Sequence, residues 1–281
     1  MQTERASIAE AVKAAVLNGA GMIEAGHAIG TYHVQCHDAD GNLLWEDDCP
    51  NVVTYTGKGL ILDNSLSGSA YTTVGPYMGL ISSVSWTNLS TTLSSLTSYV
   101  SGTGLATLVT AAAHGLNPGD SAVTIASAAG TGTNISSLNG TFTPQAGTTG
   151  TTLVIFVGTG LTITTVTGGT VTTTSGTRLA DTAASHANWT EAGSTNAPTF
   201  ASRGTVAFSA TSSGTKSTSS AVSFTMTGAG TLQGCFLVSG SGAVNTIGST
   251  AGTLVSAGAF SGGSQVVANT NVVSVSYSVS I

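Results

Sequence analysis

The sequence predicts an all-β protein: a jelly-roll-like β-sandwich carrying an inserted small β-barrel or sandwich domain and an N-terminal helical arm. Three observations lead there. Apolar residues alternate with polar ones at period two along most of the chain, most cleanly at the end, where Val273, Val275, Tyr277, Val279 and Ile281 share one face and Ser274, Ser276, Ser278 and Ser280 the other. Turns rich in glycine and asparagine recur at short intervals. Helical spacing of apolar residues is sustained only near the N-terminus.

That stretch, residues 6–25, places Ile8, Val12, Ala15, Val16, Gly19, Met22 and Ile23 on one side, with Glu10, Lys13 and Asn18 on others. It fits a lid over a sheet end or an arm on a neighbouring subunit. From Gly30 the period becomes two. Tyr32, Val34 and Cys36 alternate with His33, Gln35 and His37, Asp40-Gly41 supplies a hairpin turn, and Leu43, Leu44 and Trp45 begin the return strand. Val52 to Tyr55 is a further strand unit, Gly59 to Asn64 fits either a helical turn or a short strand, and Tyr77 to Ile81 is a buried strand.

Between Ser98 and Thr177 the composition shifts to Thr, Gly and Val. Short apolar runs at Ala122–Ile125, Leu138–Thr143, Leu153–Val157 and Leu161–Thr164 predict an autonomous small β-domain at 99–177. The sandwich is then discontinuous, 29–98 and 178–281, after an arm at 1–28. Val206–Ser209, Ala221–Met226, Gly234–Val238 and Gly252–Ser256 continue it.

Only 18 of 281 residues are charged, a share of 6% against about a quarter in ordinary domains. Most lie in the first 63 residues, Asp120 is alone between Asn64 and Thr177, and none follows Lys216. Sheet proteins usually guard their edges with charge. This chain needs another device, and burial against copies of itself or a partner is the simplest. The net charge of −6, with six scattered cations, argues against nucleic-acid binding. The longest strongly apolar run, Leu153–Val157, is far below the ~20 residues of a membrane-spanning helix, so no membrane insertion is expected. Glu4, Glu10 and Glu24 interrupt any signal-peptide pattern, which favours synthesis in the cytoplasm.

Chemistry-bearing residues are few. Cys36 and Cys49 flank the Asp40-Gly41 hairpin, but its register separates them by at least ~13 Å, so Cys36, Cys49 and Cys235 are expected as buried thiols. His33 and His37 are likewise ~13 Å apart on a strand, too far to share a metal. Asp38, Asp40 and Glu46, with Asp47 and Asp48, form an acidic group near the hairpin that lacks a calcium-loop pattern; solubility of the hairpin and cation binding both remain open. Asp181, Ser185 and His186 suggest a hydrolase triad, yet adjacent Ser-His on a strand point apart and no nucleophile elbow precedes them. Trp189 packed in the core beside a hydrogen-bonded His186 is the simpler expectation. Glu191 and Asp181 lack the pairing that glycosidases need. No catalytic, cofactor or metal residue is therefore assigned.

Four segments carry a resemblance: Gly30 to Asn64; Gly75 to Ser83, with Gly-Leu-Ile after Pro-Tyr; Ala180 to Glu191, with Ser-His-Ala-x-Trp-x-Glu; and Gly228 to Phe260, with Gly-Cys-Phe-Leu and then Ser-Ala-Gly-x-Phe. Together they resemble a group of bacteriophage virion structural proteins, over about two thirds of the chain. Ser101 to Gly169, with Ala-His-Gly-Leu-x-Pro-Gly-Asp and Leu-Asn-Gly-Thr-Phe, resembles a small β-domain inserted in phage tail and other surface proteins. The resemblance implies a non-enzymatic virion component in many copies, a decoration or cement protein on the capsid or tail, held through its N-terminal region and sandwich with the inserted domain projecting. Its partners would be copies of itself and capsid or tail proteins, and its final location the virion. The alternative is a tail fibre or spike that binds a host-surface receptor, with Tyr71, Tyr77, Trp86 and Tyr99 as flat contact residues.

Overall fold

The period-two segments become strands of two antiparallel sheets in the computed structural model, which describes residues 28–66, 74–173 and 175–280. The chain is all-β, 48% strand and 7% helical, with a sandwich-like arrangement. The segment 6–25 and Tyr71 lie outside the described residues.

The larger sheet has eleven strands. Its main path runs β10 (Thr190–Glu191), β3 (Tyr77–Ser82), β14 (Gly230–Ser239), β15 (Thr253–Ala259), β2 (Leu43–Val53), β1 (Ile29–His37), β17 (Val272–Ser280) and β12 (Thr215–Ser217). Off this path, β11 (Gly204–Thr205) pairs with β3, β13 (Val222–Thr225) with β17, and β16 (Gln265–Val267) with β14. The sheet curls until its two ends meet, because a Cβ on Gly204 of β11 would stand 2.0 Å from Val222 Cγ1 of β13. Only glycine permits that approach.

The concave side encloses the main core. Val34, Met78, Leu80, Leu237, Val273 and Val275 meet there from four different strands. Tyr32 and Tyr277, directly opposite in register, pack with ring centroids 4.5 Å apart, and the Tyr32 hydroxyl bonds Ser256 Oγ at 2.6 Å. Burial raises the pKa of both phenols, well above its ordinary value for Tyr32. The convex side carries a second core of Ile81, Trp189, Phe236, Val238 and Leu254. β14 is thus buried on both faces, which explains its continuous apolar run. Phe236 fits because the residue opposite is Gly79: a Cβ there would sit 2.3 Å from the phenyl ring.

Gly59 to Asn64 proves helical, inside α1 (Tyr55–Leu66). Its two glycines and Leu-Ile-Leu run give no helical stripe, so the decision comes from context. Thr54 Oγ1 accepts the Gly57 amide at 3.0 Å as an N-cap, and Leu60 is buried.

The smaller sheet orders six strands as β7 (Gly140–Phe142), β6 (Val123–Thr131), β9 (Thr165–Thr173), β4 (Ser90–Val100), β5 (Leu105–Thr110) and β8 (Thr152–Phe156). It closes around its own core, including Leu108, Val123, Ile125, Leu153, Ile155 and Val171. β4 straddles the boundary placed at 98/99 from composition but lies entirely in this sheet, whose first strand therefore begins at Ser90. Leu89 to Val100 carries no charge and continues the Ser/Thr texture of the preceding loop, so composition does not mark the change of sheet.

Candidate functional site

Polar chemistry concentrates where the two sheets join and on the convex face just beyond. At the joint, the turn Ala113 to Asp120 is held by its own side chains. His114 Nδ1 accepts the Leu116 amide at 3.1 Å, which assigns the proton to Nε2, and that nitrogen donates to Thr152 O at 3.0 Å. Burial lowers the His114 pKa below its ordinary 6.5, so the neutral ring is the favoured form. Asp120 Oδ2 accepts the Asn117 amide and Oδ1 the Leu179 amide, both at 2.6 Å. One buried carboxylate therefore closes the turn and ties the small sheet to the returning chain. Tyr55 strengthens the tie: its hydroxyl donates to Pro118 O at 3.3 Å and its amide to Leu179 O at 2.8 Å.

Arg178 lies beside Asp120 and Asp181 and donates to Thr177 O at 3.0 Å and to Ser175 O. Burial lowers its pKa and raises that of Asp181; bonds from Trp189 Nε1 at 2.8 Å and the Arg178 amide at 2.9 Å oppose the latter shift. Trp189 in turn stacks on His186, with centroids 3.8 Å apart and planes 17° off parallel. His186 Nδ1 donates to Trp189 O at 2.8 Å. Asp181, Ser185 and His186 thus do not assemble as a triad: the carboxylate serves Trp189 and Arg178, and the Ser185 amide bonds Thr182 Oγ1 at 3.0 Å.

Beyond Trp189 lies a cavity of about 270 Å³, lined by His186, Trp189, Asn196, Ile247, Ser249 and Thr250 among others. Its inner wall is a pair that sequence reasoning missed. Arg203 Nε and Nη2 each donate to a Glu191 carboxylate oxygen at 2.8 Å, with both side chains nearly sealed from solvent. Nη2 also donates to Ser249 O at 2.8 Å, Nη1 to Val244 O at 3.3 Å, and the Gly248 amide donates to Glu191 Oε2 at 2.7 Å. The guanidinium lies 5.4 Å from the Phe236 ring centroid. This fork-on-fork pair pins the loops 191–203 and 244–249 to the convex core. The available signal was economy: a chain this poor in charge that keeps one Glu and one Arg twelve residues apart has a use for both.

The acidic hairpin does not gather into a metal site; among the described residues no group of three or more His, Cys, Asp or Glu side chains is placed to hold an ion. Asp38 instead organises the turn: its carboxylate accepts the Asn42 side-chain amide at 2.8 Å and the backbone amides of Asn42 at 2.8 Å and Asp40 at 2.9 Å, and these bonds, the Asn42 side chain's first, lower its pKa. Glu46 accepts from Gln35, Asp48 bonds His33 at 2.9 Å, and Asp47 accepts from Gly262 and Gln265. Cys36 faces Trp45 and Cys49 faces Tyr32, four positions away; all three cysteines are free and buried. Of the aromatic residues expected at a receptor surface, the three that are described are partly buried: Tyr77 and Trp86 pack on the convex core, and the Tyr99 hydroxyl donates to Gly158 O at 2.7 Å.

No family model, curated protein or solved structure matches the chain.

Proposed function

We propose that this chain is a non-enzymatic structural subunit of a larger particle, a decoration or cement component of the bacteriophage virion class that its sequence resembles, seated through the faces of its sandwich. One observation carries the reading. Of the six charges between residues 64 and 280, Asp120, Arg178, Asp181, Glu191 and Arg203 are each at most 8% exposed. Lys216 alone carries charge on the described surface of that stretch, and it too is partly covered.

In that stretch the charges are spent on internal locks while the exposed polar residues are mostly Ser and Thr; the other surface charges of the described chain lie in the β1–β2 hairpin and α1. Covering such a surface with a neighbour requires no desolvation of ions, the costliest part of forming an interface. Interface cores are depleted in charge for the same reason. A freely diffusing domain gains solubility from a charged surface and would be expected to keep one.

The test has two arms. Sedimentation of the purified chain from low to high micromolar concentration is expected to show reversible association, and the chain is expected to bind particles lacking it, at a copy number of hundreds. A few dozen copies would support the fibre alternative; a monomer at every concentration with no particle affinity would overturn both.

A further inference from the structure

We infer that the cleft between the two sheets is a binding site for one uncharged sugar ring, a hexopyranose unit, and that Gln233 recognises it. The cleft encloses about 350 Å³. Asn88, just before β4, and Ser121, just before β6, line it from the small sheet; Gln233 of β14, with Phe260 and Ser261 just after β15, lines it from the large one. Small-molecule sites form preferentially where two such units meet.

Gln233 carries the argument. It is the one amide in the run Leu232 to Val238, whose other residues are apolar or glycine. In the β14–β3 ladder Leu232 faces Ser82 and Gly234 faces Ile81, which are adjacent, so Gln233 is an extra residue with nothing opposite it. Bulges of this kind re-aim a side chain and recur beside functional sites. The Gln233 carbonyl accepts the Phe260 amide at 2.9 Å, which fixes the bulge against the end of β15. The residue is only 9% exposed and lines the cleft, yet none of the described residues bonds its side-chain amide. A buried amide needs a partner. Water fills that role in the empty cleft, and a ligand that reproduces water's bonds can replace it.

The lining selects the class of ligand. None of its residues is charged, so an ionic group placed there would lose its hydration and gain no counter-charge. The Gln233 amide offers two donors and an acceptor, and the hydroxyls of Ser121 and Ser261 each give and accept. Asn88 Oδ1 accepts Trp86 Nε1 at 3.1 Å, which leaves the Asn88 NH₂ to donate. Pro50, Ala259 and Phe260 add an apolar flank. A sugar ring matches both characters, with hydroxyls along its edge and C–H groups on its faces. The volume equals the share of about twelve water molecules, room for a single ring. The inference does not depend on the particle reading.

The test titrates the full chain with the methyl α-glycosides of glucose, galactose and mannose and follows amide NMR signals. At least one glycoside is expected to shift the Gln233 side-chain NH₂, with a Kd on the order of millimolar for a ligand of about twelve non-hydrogen atoms. Gln233→Leu is expected to weaken binding by about tenfold. Ser121→Trp, at a partly exposed position, fills the cleft from its rim and is expected to abolish binding, which keeps the test decisive if Gln233→Leu does not fold. A printed array of neutral and acidic glycans separates the sources: binding there to neutral glycans assigns the terminal unit of a longer chain, and binding to the methyl glycosides alone assigns a free sugar. No shift with any glycoside together with no neutral glycan bound would overturn the inference. So would binding that persists in Ser121→Trp, or binding confined to sialylated or sulfated glycans.

Discussion

Replacing Arg203 by methionine tests whether the convex face rests on a buried ion pair. Methionine keeps the apolar stem over Phe236 but removes the two bonds to Glu191 and those to Ser249 O and Val244 O. Glu191, nearly sealed from water, keeps the Gly248 amide at 2.7 Å but has no opposite charge. Removing one member of such a pair costs about 3–5 kcal/mol. For a chain of this size that corresponds to a midpoint about 6–20 °C lower. Urea unfolding followed by tryptophan fluorescence measures it, since Trp189 lines the same cavity. The double variant Arg203→Met, Glu191→Leu is expected to recover most of the loss, because an apolar replacement of the whole pair is often neutral. A single-variant loss below about 1 kcal/mol, the range of solvated surface pairs, would refute the reasoning. So would a double variant as unstable as the two singles summed.

Asp120→Asn presents an NH₂ where one of two buried amides is now accepted, and should cost about 1–3 kcal/mol and open the joint near Leu179 to limited proteolysis. His114 supplies a pH dependence: its folded pKa is depressed, so the unfolded chain takes the proton first, and stability is full above 6.5 and lost as pH falls through the folded value. Urea midpoints at pH 7.5 and 5.5 should therefore differ, and His114→Gln should remove that part of the difference. Gly79→Ala forces the Phe236 ring aside and should cost about 1–3 kcal/mol, with Phe236→Leu restoring part in thermal melts. The thiols, with Cys36 pushed up to about 11 by burial, should react with a disulfide reagent in urea but not in native buffer.

Legibility in the sequence followed the range of the interaction. β17 could be read residue by residue, because one face is core and the other is not: Val273, Val275 and Tyr277 are buried, and the serines between them are only partly so. The Asp40-Gly41 turn kept Cys36 and Cys49 out of register, as the observed Cys36–Trp45 and Cys49–Tyr32 pairings have them. α1 was undecidable locally, since Thr54 and the packing of Leu60 set it. Two-residue strands such as β10 and β11 exist only as partners of β3 and leave no pattern. The site followed the same rule. Trp189 in the core with His186 bonded beside it was visible within four residues, whereas Asp120 reaching Leu179, 59 positions on, was not.

The scarcity of charge first suggested edges that only neighbours could finish, and the structure moves that argument from edges to faces. Several edges are blunted internally. β10 and β11 have two residues, β7 and β12 three, and at β8 the Thr148 hydroxyl takes the place of a further strand, bonding Val154 N at 3.0 Å and Val154 O at 3.3 Å. The faces differ: outward hydroxyls pair across strands, Thr131 with Thr165 at 2.8 Å and Ser223 with Ser274 at 3.2 Å. Hydroxyls already bonded to each other lose less on being covered than hydroxyls bonded only to water. Those faces are therefore the surfaces most easily buried against a neighbour. Thr165→Lys and Ser223→Lys, both at exposed positions, should each change stability by no more than about 0.5 kcal/mol. Sedimentation should show weakened association for the one that lies on the contact face, because a lysine there must be desolvated. Association unchanged in both variants would refute the assignment of these hydroxyl ladders to the interface.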